Sequence, residues 1–247
     1  MTSLQEILRK GSVSLLDLIY PLRCAHCGER LTKEEGGLCA CCLSQIPKNI
    51  PPFCPTCGRQ TALPANVQCS ACEGKIFPFD RLWFVAPYEG IVRDSLHRLK
   101  YEGKKPLAQS LEQLLIAFAK QYLYSLHFDA VLPVPLSREK ERERAFNQSA
   151  LFAKALAKAF SISYSSGNLI RVRPTLSQVT LSKPERLKNV RGAFRVKHSS
   201  AYAGKDLLLI DDIVTTGATV SSASKSLREA GAKTVSVLTL ARGSGTA

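Results

Sequence analysis

Apolar residues recur along this chain with two different periods, and the alternation between them predicts an order of elements. Leu4, Ile7 and Leu8, then Leu15, Leu16 and Ile19, fall at helical spacing interrupted by Gly11, which predicts a short amphipathic helix docked on the protein itself. Polarity alternates as in a strand over 81–86. Leu107, Leu111, Leu114, Leu115, Phe118 and Tyr122 then mark a helix, 129–134 a strand running into Pro133 and Pro135, and 146–160 another helix. The apolar run 207–210 reads as a buried strand with two acids after it. A Thr/Gly-rich turn opens a helix running to about Ala230, Gly231 is placed to end that helix, and 234–240 is the next strand. This succession predicts an α/β domain over 79–247, preceded by a cysteine-rich module over 21–78 and the helix over 1–20.

The cysteines form a repeat. All nine precede residue 73, and eight of them make two copies of one pattern, Cys24-x2-Cys27-x11-Cys39-x2-Cys42 and Cys54-x2-Cys57-x11-Cys69-x2-Cys72, offset by 30 residues. A Cys-x-x-Cys turn brings two thiolates onto one metal, and Gly28 or Gly58 after the second cysteine lets the backbone fold beneath the sulfurs. Two such turns close a tetrahedral four-cysteine zinc site with no open position, so two structural Zn2+ ions are expected. A disulfide framework or catalytic redox pairs are the alternatives; the former needs an oxidising compartment, and no secretory leader pattern is visible. Cys41 breaks the repeat as a free thiol, and His26 is superfluous as a ligand.

Charge is distributed unevenly. The formal net charge is +14, yet residues 1–80 hold eight Lys/Arg against seven Asp/Glu, so the C-terminal part carries nearly all of it. Metal-bound thiolates make the cysteine module acidic, which favours a scaffold or protein-contact role over phosphate binding. The longest stretch without a charge is 13 residues, 60–72, whereas a membrane helix needs about 20 apolar residues. No membrane insertion is expected, and the location is expected to be cytoplasmic.

Candidate chemistry concentrates in Leu207-Leu-Leu-Ile-Asp211-Asp212-Ile-Val-Thr215-Thr216-Gly217-Ala218-Thr219. Free N–H groups at a helix N-terminus together with threonine hydroxyls form an anion cradle, and Gly217 permits close approach. Two carboxylates just before a phosphate site are suited to accepting hydrogen bonds from sugar hydroxyls. The run lacks the glycine patterns of a P-loop or a dinucleotide fold. It resembles the phosphoribosyl pyrophosphate (PRPP) loop of type I phosphoribosyltransferases. That resemblance implies a parallel sheet flanked by helices with a hood. It also implies Asp211 and Asp212 on the ribose hydroxyls, and Thr215, Thr216, Gly217, Ala218 and Thr219 on the 5′-phosphate, with Mg2+ accompanying PRPP.

Pro133-Val-Pro-Leu-Ser-Arg-Glu-Lys-Glu-Arg-Glu-Arg144-Ala-Phe-Asn-Gln148 follows its strand in the position of a pyrophosphate loop. With the cysteine repeat, Leu99-Lys100-Tyr101-x-Gly103, Arg171-x-Arg173-Pro-Thr-Leu-Ser-Gln178 and Arg186-x-x-Asn189-x-x-Gly192-Ala-Phe194, nearly the whole chain resembles the ComF family (ComFC/GntX type). These are competence-associated, phosphoribosyltransferase-like proteins with an N-terminal double zinc ribbon. The family usually shows Arg-Gly-Phe-Asn-Gln, and Ala145 departs from that glycine. Lys100, Arg144, Gln148 and Arg186 are the pyrophosphate or hood candidates. Residues 171–197 hold eight Lys/Arg and one acid, a basic segment in the place of the hood or, read blandly, a solvated loop.

Three readings follow. The resemblance implies PRPP binding together with a part in DNA uptake and natural transformation, handling single-stranded DNA in the cytoplasm beside DNA-uptake or recombination proteins. Basic residues of 138–144 and 171–197 would meet phosphates, with Phe146, Phe194 and Tyr202 either stacking on bases or packing in the core. The second reading is an active phosphoribosyltransferase acting on an unidentified nucleobase-like acceptor. The third is a PRPP-sensing regulator without turnover.

Overall fold

The computed structural model describes residues 22–32, 35–64, 66–173, 185 and 189–243; the N-terminal helix expected over 1–20, most of the basic hood and Arg186 lie outside them. Helix α1 (Ala40–Ser44) belongs to the cysteine module. The α/β part follows as β1 (Arg81–Pro87), α2 (Gly90–Tyr101), α3 (Pro106–Tyr122), β2 (Ala130–Pro133), α4 (Arg138–Arg144) and α5 (Gln148–Phe160). Then come β3 (Ser163–Tyr164), β4 (Leu169–Arg171), β5 (Phe194–Val196), β6 (Asp206–Val214), α6 (Ala218–Glu229) and β7 (Thr234–Arg242). Five strands form one sheet in the order β1-β7-β6-β2-β3, while β4 and β5 form a separate antiparallel pair. Every neighbour in the main sheet is parallel.

The central strands β2 and β6 read as nearly continuous apolar runs because both faces are covered. Leu208 and Ile210 of β6 pack with Leu96, Leu111 and Phe152 on one face, from α2, α3 and α5. Leu207 and Leu209 meet Val220, Ala223 and Leu227 of α6 on the other. Strand β6 runs through Asp211 and Asp212 to Val214, so the acids belong to the strand rather than following it. Helix α5 starts at Gln148 and not at Phe146, because the Asn147 side chain accepts from the Ser149 N–H and caps it there.

The cysteine module is welded to the sheet. Cys24, Leu38, Cys42 and Ile46 share the core of the α2/α3/α5 face, and the Leu38 N–H donates to Ser110 Oγ at 3.0 Å. The second cysteine cluster covers β1, an edge strand of the sheet. The Leu82 N–H donates to the Thr56 carbonyl at 2.9 Å, and the Asn49 N–H to the Val85 carbonyl at 2.8 Å. Arg242 reaches from the end of β7 to the Cys57 carbonyl at 3.0 Å. Gly58 sits at φ +68°, and a Cβ there would run into the Leu82 carbonyl oxygen, so this glycine serves the seam between module and sheet. Unpaired edge groups invite pairing with other chains, and the module satisfies them internally. Among the described residues no helix is long and apolar enough to cross a membrane.

Candidate functional site

Two four-cysteine clusters assemble as the spacing predicts: Cys24, Cys27, Cys39, Cys42 and Cys54, Cys57, Cys69, Cys72, each with its sulfurs within 4.8 Å of one another. Sγ–Sγ separations of 3.7 Å for Cys24–Cys42 and Cys27–Cys39 and 3.6 Å for Cys57–Cys69 are far beyond a disulfide bond. They match the edge of about 3.8 Å of a tetrahedron with Zn–S bonds near 2.3 Å. All nine cysteines are free of disulfides. Cys41 and His26 are exposed and outside the clusters.

The second site lies at the carboxyl end of β6, where α/β sheets bind ligands. Its two acids have different fates. Asp211 is buried, and its Oδ1 accepts from Ser149 Oγ at 2.9 Å and from the Asp212 N–H at 2.9 Å. Asp212 Oδ2 pairs with Lys100 Nζ at 2.6 Å, both side chains retaining a small exposed fraction of 13% and 12%. Asp211 is thus committed inward, tying α5 to β6, while Asp212 stands at the mouth. Thr215, Thr216 and Gly217 follow directly. Gly217, at φ +79°, is the N-cap of α6, a left-handed conformation that suits glycine.

Cations gather around the acids. Arg144 lies over the Tyr101 ring at 5.3 Å and approaches the Gln148 amide oxygen at 3.4 Å. Arg171 lies over the Phe194 ring at 5.3 Å. Burial, followed by the charges of Arg171, Arg144 and Lys100, holds the Lys140 ammonium below its ordinary range, so four cations share one region. Gln148 is only 1% exposed, and its Nε2 and the buried Arg144 Nε have no hydrogen-bond partner among the described residues. Unpaired donors of this kind are costly unless something accepts from them. The sequence singled out Lys100, Arg144 and Gln148, and the structure brings all three together near Asp212. Lys140 and Ser149 are not singled out by the sequence, and Arg171 enters there only within a motif and a basic segment: a charged run and a lone serine carry no spacing signal, and only the fold gathers them.

The reading of Ala145 is revised, and of the two fates open to the aromatic residues the structure shows core packing. Ala145 has φ 62° at the C-cap of α4, so the glycine usual in the family answers a left-handed backbone rather than close approach, and Ala145 is strained there. Phe194 and Tyr202 are buried at 5% and 1% exposure, so they pack in the core and do not stack on bases; Tyr202 Oη meets Ser165 Oγ at 2.9 Å. Phe146 packs half-buried against the same core as α5.

The Asp211 carboxyl is pushed up to about 7, by burial first and then by the charge of Asp212, against the hydrogen bonds from Ser149 and the Asp212 N–H. A carboxyl raised in the folded state contributes stability fully below its unfolded value near 4, and that contribution is lost as pH rises through the folded value. The melting temperature of Asp211→Asn minus that of wild type is therefore expected to climb between about pH 4 and 7 and level off above. A difference constant across that window would contradict this assignment.

The parallel sheet, the strand-end acids and the threonine loop define a phosphoribosyltransferase-fold protein carrying an N-terminal double zinc ribbon. Two family models agree: a double zinc ribbon domain matches residues 15–73 and a phosphoribosyl transferase domain residues 147–247. DNA utilization protein YhgH of Salmonella typhimurium is 32% identical over 228 residues, spanning 91% of this chain and 99% of that protein. Competence protein F of Haemophilus influenzae is 29% identical, with 90% and 98% covered. Competence protein ComFC of Bacillus subtilis is 33% identical, with 86% and 87% covered. The chain belongs to the ComF family of competence proteins.

Proposed function

We propose that this protein binds Mg2+-PRPP at the carboxyl end of β6 and handles incoming single-stranded DNA in the cytoplasm during DNA uptake. The observation carrying the first half is the convergence, at one strand end, of Asp212, the threonine loop 215–217 with the first turn of α6, and the four cations Lys100, Lys140, Arg144 and Arg171. Asp212 would accept from ribose hydroxyls, the loop would hold the 5′-phosphate, and the cations with the Gln148 Nε2 would meet the diphosphate. Mg2+ is a hard cation that takes oxygen ligands from substrate phosphates and one or two carboxylates. Asp212 is the carboxylate at hand, and the ion would supply neutralisation of the diphosphate. The two cysteine clusters would each hold a structural Zn2+. The second half rests on relatives named for DNA utilization and competence and on the basic charge of this domain.

Placement of cations where diphosphate would depart also favours a second reading, transfer of the phosphoribosyl group to a nucleobase-like acceptor, since stabilising a leaving anion is what such a cluster does. Binding of a labelled single strand across a salt series, alongside pyrophosphate release from Mg2+-PRPP, separates the two. Binding that weakens steeply with salt, with a slope lowered by about 0.7 in Lys140→Gln, is expected if phosphates are met there. Pyrophosphate release without strand binding would overturn the DNA-handling reading in favour of the transferase.

A further inference from the structure

A cavity of about 410 Å³ lies between the second cysteine cluster and the threonine loop. It is lined by Thr215, Thr216 and Gly217 themselves and by Lys75, Ile76 and Phe77, which follow Cys72. Arg242 and Arg59 also line it, and the Arg242 Nε is buried without a hydrogen-bond partner among the described residues. Ile76 is 100% exposed and Phe77 is half-buried beside it. An apolar floor edged by three cations suits a ring attached to an anionic backbone. The volume falls in the range of small-ligand pockets.

The position of the cavity gives it meaning. The partners of the two acids, Lys100 and Ser149, come from α2 and α5. The cavity is lined by the loop, the end of β7 and the second cluster, and neither acid lines it. A ribose held at Asp212 with its 5′-phosphate in the loop would direct any further substituent on that phosphate into this cavity. PRPP carries no such substituent. A nucleotide at the 3′ end of a strand does, because its 5′-phosphate is a diester to the nucleotide before it.

We infer that the threonine loop also accepts the 3′-terminal nucleotide of a single strand, with its free 3′-hydroxyl toward Asp212. The preceding nucleotide occupies the cavity, its base against Ile76 and Phe77 and its backbone charge met by Lys75 and Arg242. This rests on the loop being a 5′-phosphate site, as proposed above. The cavity accounts for a ring and charged groups placed beyond a site that PRPP alone would fill, and it makes PRPP and the strand end mutually exclusive.

The test uses the full chain with its metal content verified, an oligothymidylate labelled at its 5′ end, and Mg2+-PRPP. A strand ending in a 3′-hydroxyl is expected to bind more tightly than the same strand ending in a 3′-phosphate, and PRPP is expected to displace it. Ile76→Asp, at a fully exposed position, is expected to weaken that strand on the order of tenfold, the scale of one lost base contact, while leaving PRPP affinity unchanged. Lys75→Gln should act in the same direction. If wild type binds PRPP but binds both strand ends equally, without displacement and without an effect of Ile76→Asp, the inference fails and the PRPP site stands. If wild type does not bind PRPP, the underlying reading fails and takes this inference with it.

Discussion

Stripping the metal is expected to release two zinc ions per chain and to open the cysteine module before the α/β sheet. Structural zinc contributes on the order of 10 kcal/mol per site in zinc-finger peptides at neutral pH, comparable with the whole stability of a typical domain. Here the effect reaches further than the module. Cys24 and Cys42 sit in the same core as Leu96 and Phe152, and the second cluster covers β1, whose Leu82 and Val85 backbone groups would lose their partners Thr56 and Asn49. Hydrogen exchange after chelation should show protection lost first over 22–32, 35–64 and 66–73, then at β1, with self-association following from the uncovered edge. A single ion released, or an apo protein with unchanged protection, would contradict two structural sites.

The other large effect is expected at Lys100. Its ammonium lies 2.6 Å from Asp212, with both side chains nearly buried, and Asp211 stands immediately beside that acid. Removing one member of such a pair leaves a charge without compensation, which costs about 3 kcal/mol at the lower end of measured cases. Lys100→Met should therefore destabilise the protein markedly, because Asp212 then loses the cation it contacts while Asp211 stays beside it. Lys100→Met combined with Asp212→Asn should recover much of the loss, since no orphaned charge remains. Denaturant unfolding of the two single variants and the double variant reads this coupling directly. Additive effects would mean that the ion pair carries no weight.

The sequence made different parts of the molecule legible to different degrees, for physical reasons. The cysteine clusters were readable because tetrahedral coordination imposes a spacing that the fold only has to respect. The central strands were readable because burial on both faces leaves unbroken apolar runs such as 207–210. Helix α2 was not singled out; it is polar enough on its outer face that the buried Val92, Leu96 and Leu99 do not dominate the run. At the site, Asp212 and the threonine loop follow from local order along the chain, but the inward role of Asp211 does not. That role depends on Ser149, 62 residues away, and no local pattern encodes which of two adjacent acids a distant helix will claim. The seam at Gly58 and the cavity beside the loop are likewise products of tertiary contact between the cysteine module and the sheet.

Calorimetric titration of Mg2+-PRPP into the zinc-loaded wild type and into Asp212→Asn tests the central claim most directly. The charge-assisted hydrogen bonds of a carboxylate contribute about 1.5–3 kcal/mol, so the account predicts one PRPP per wild-type chain and an affinity roughly ten- to a hundredfold weaker in Asp212→Asn, with both proteins folded and carrying equal zinc. No heat of binding with wild type, or equal affinity for the two proteins, would contradict the assignment of this strand end as a PRPP site.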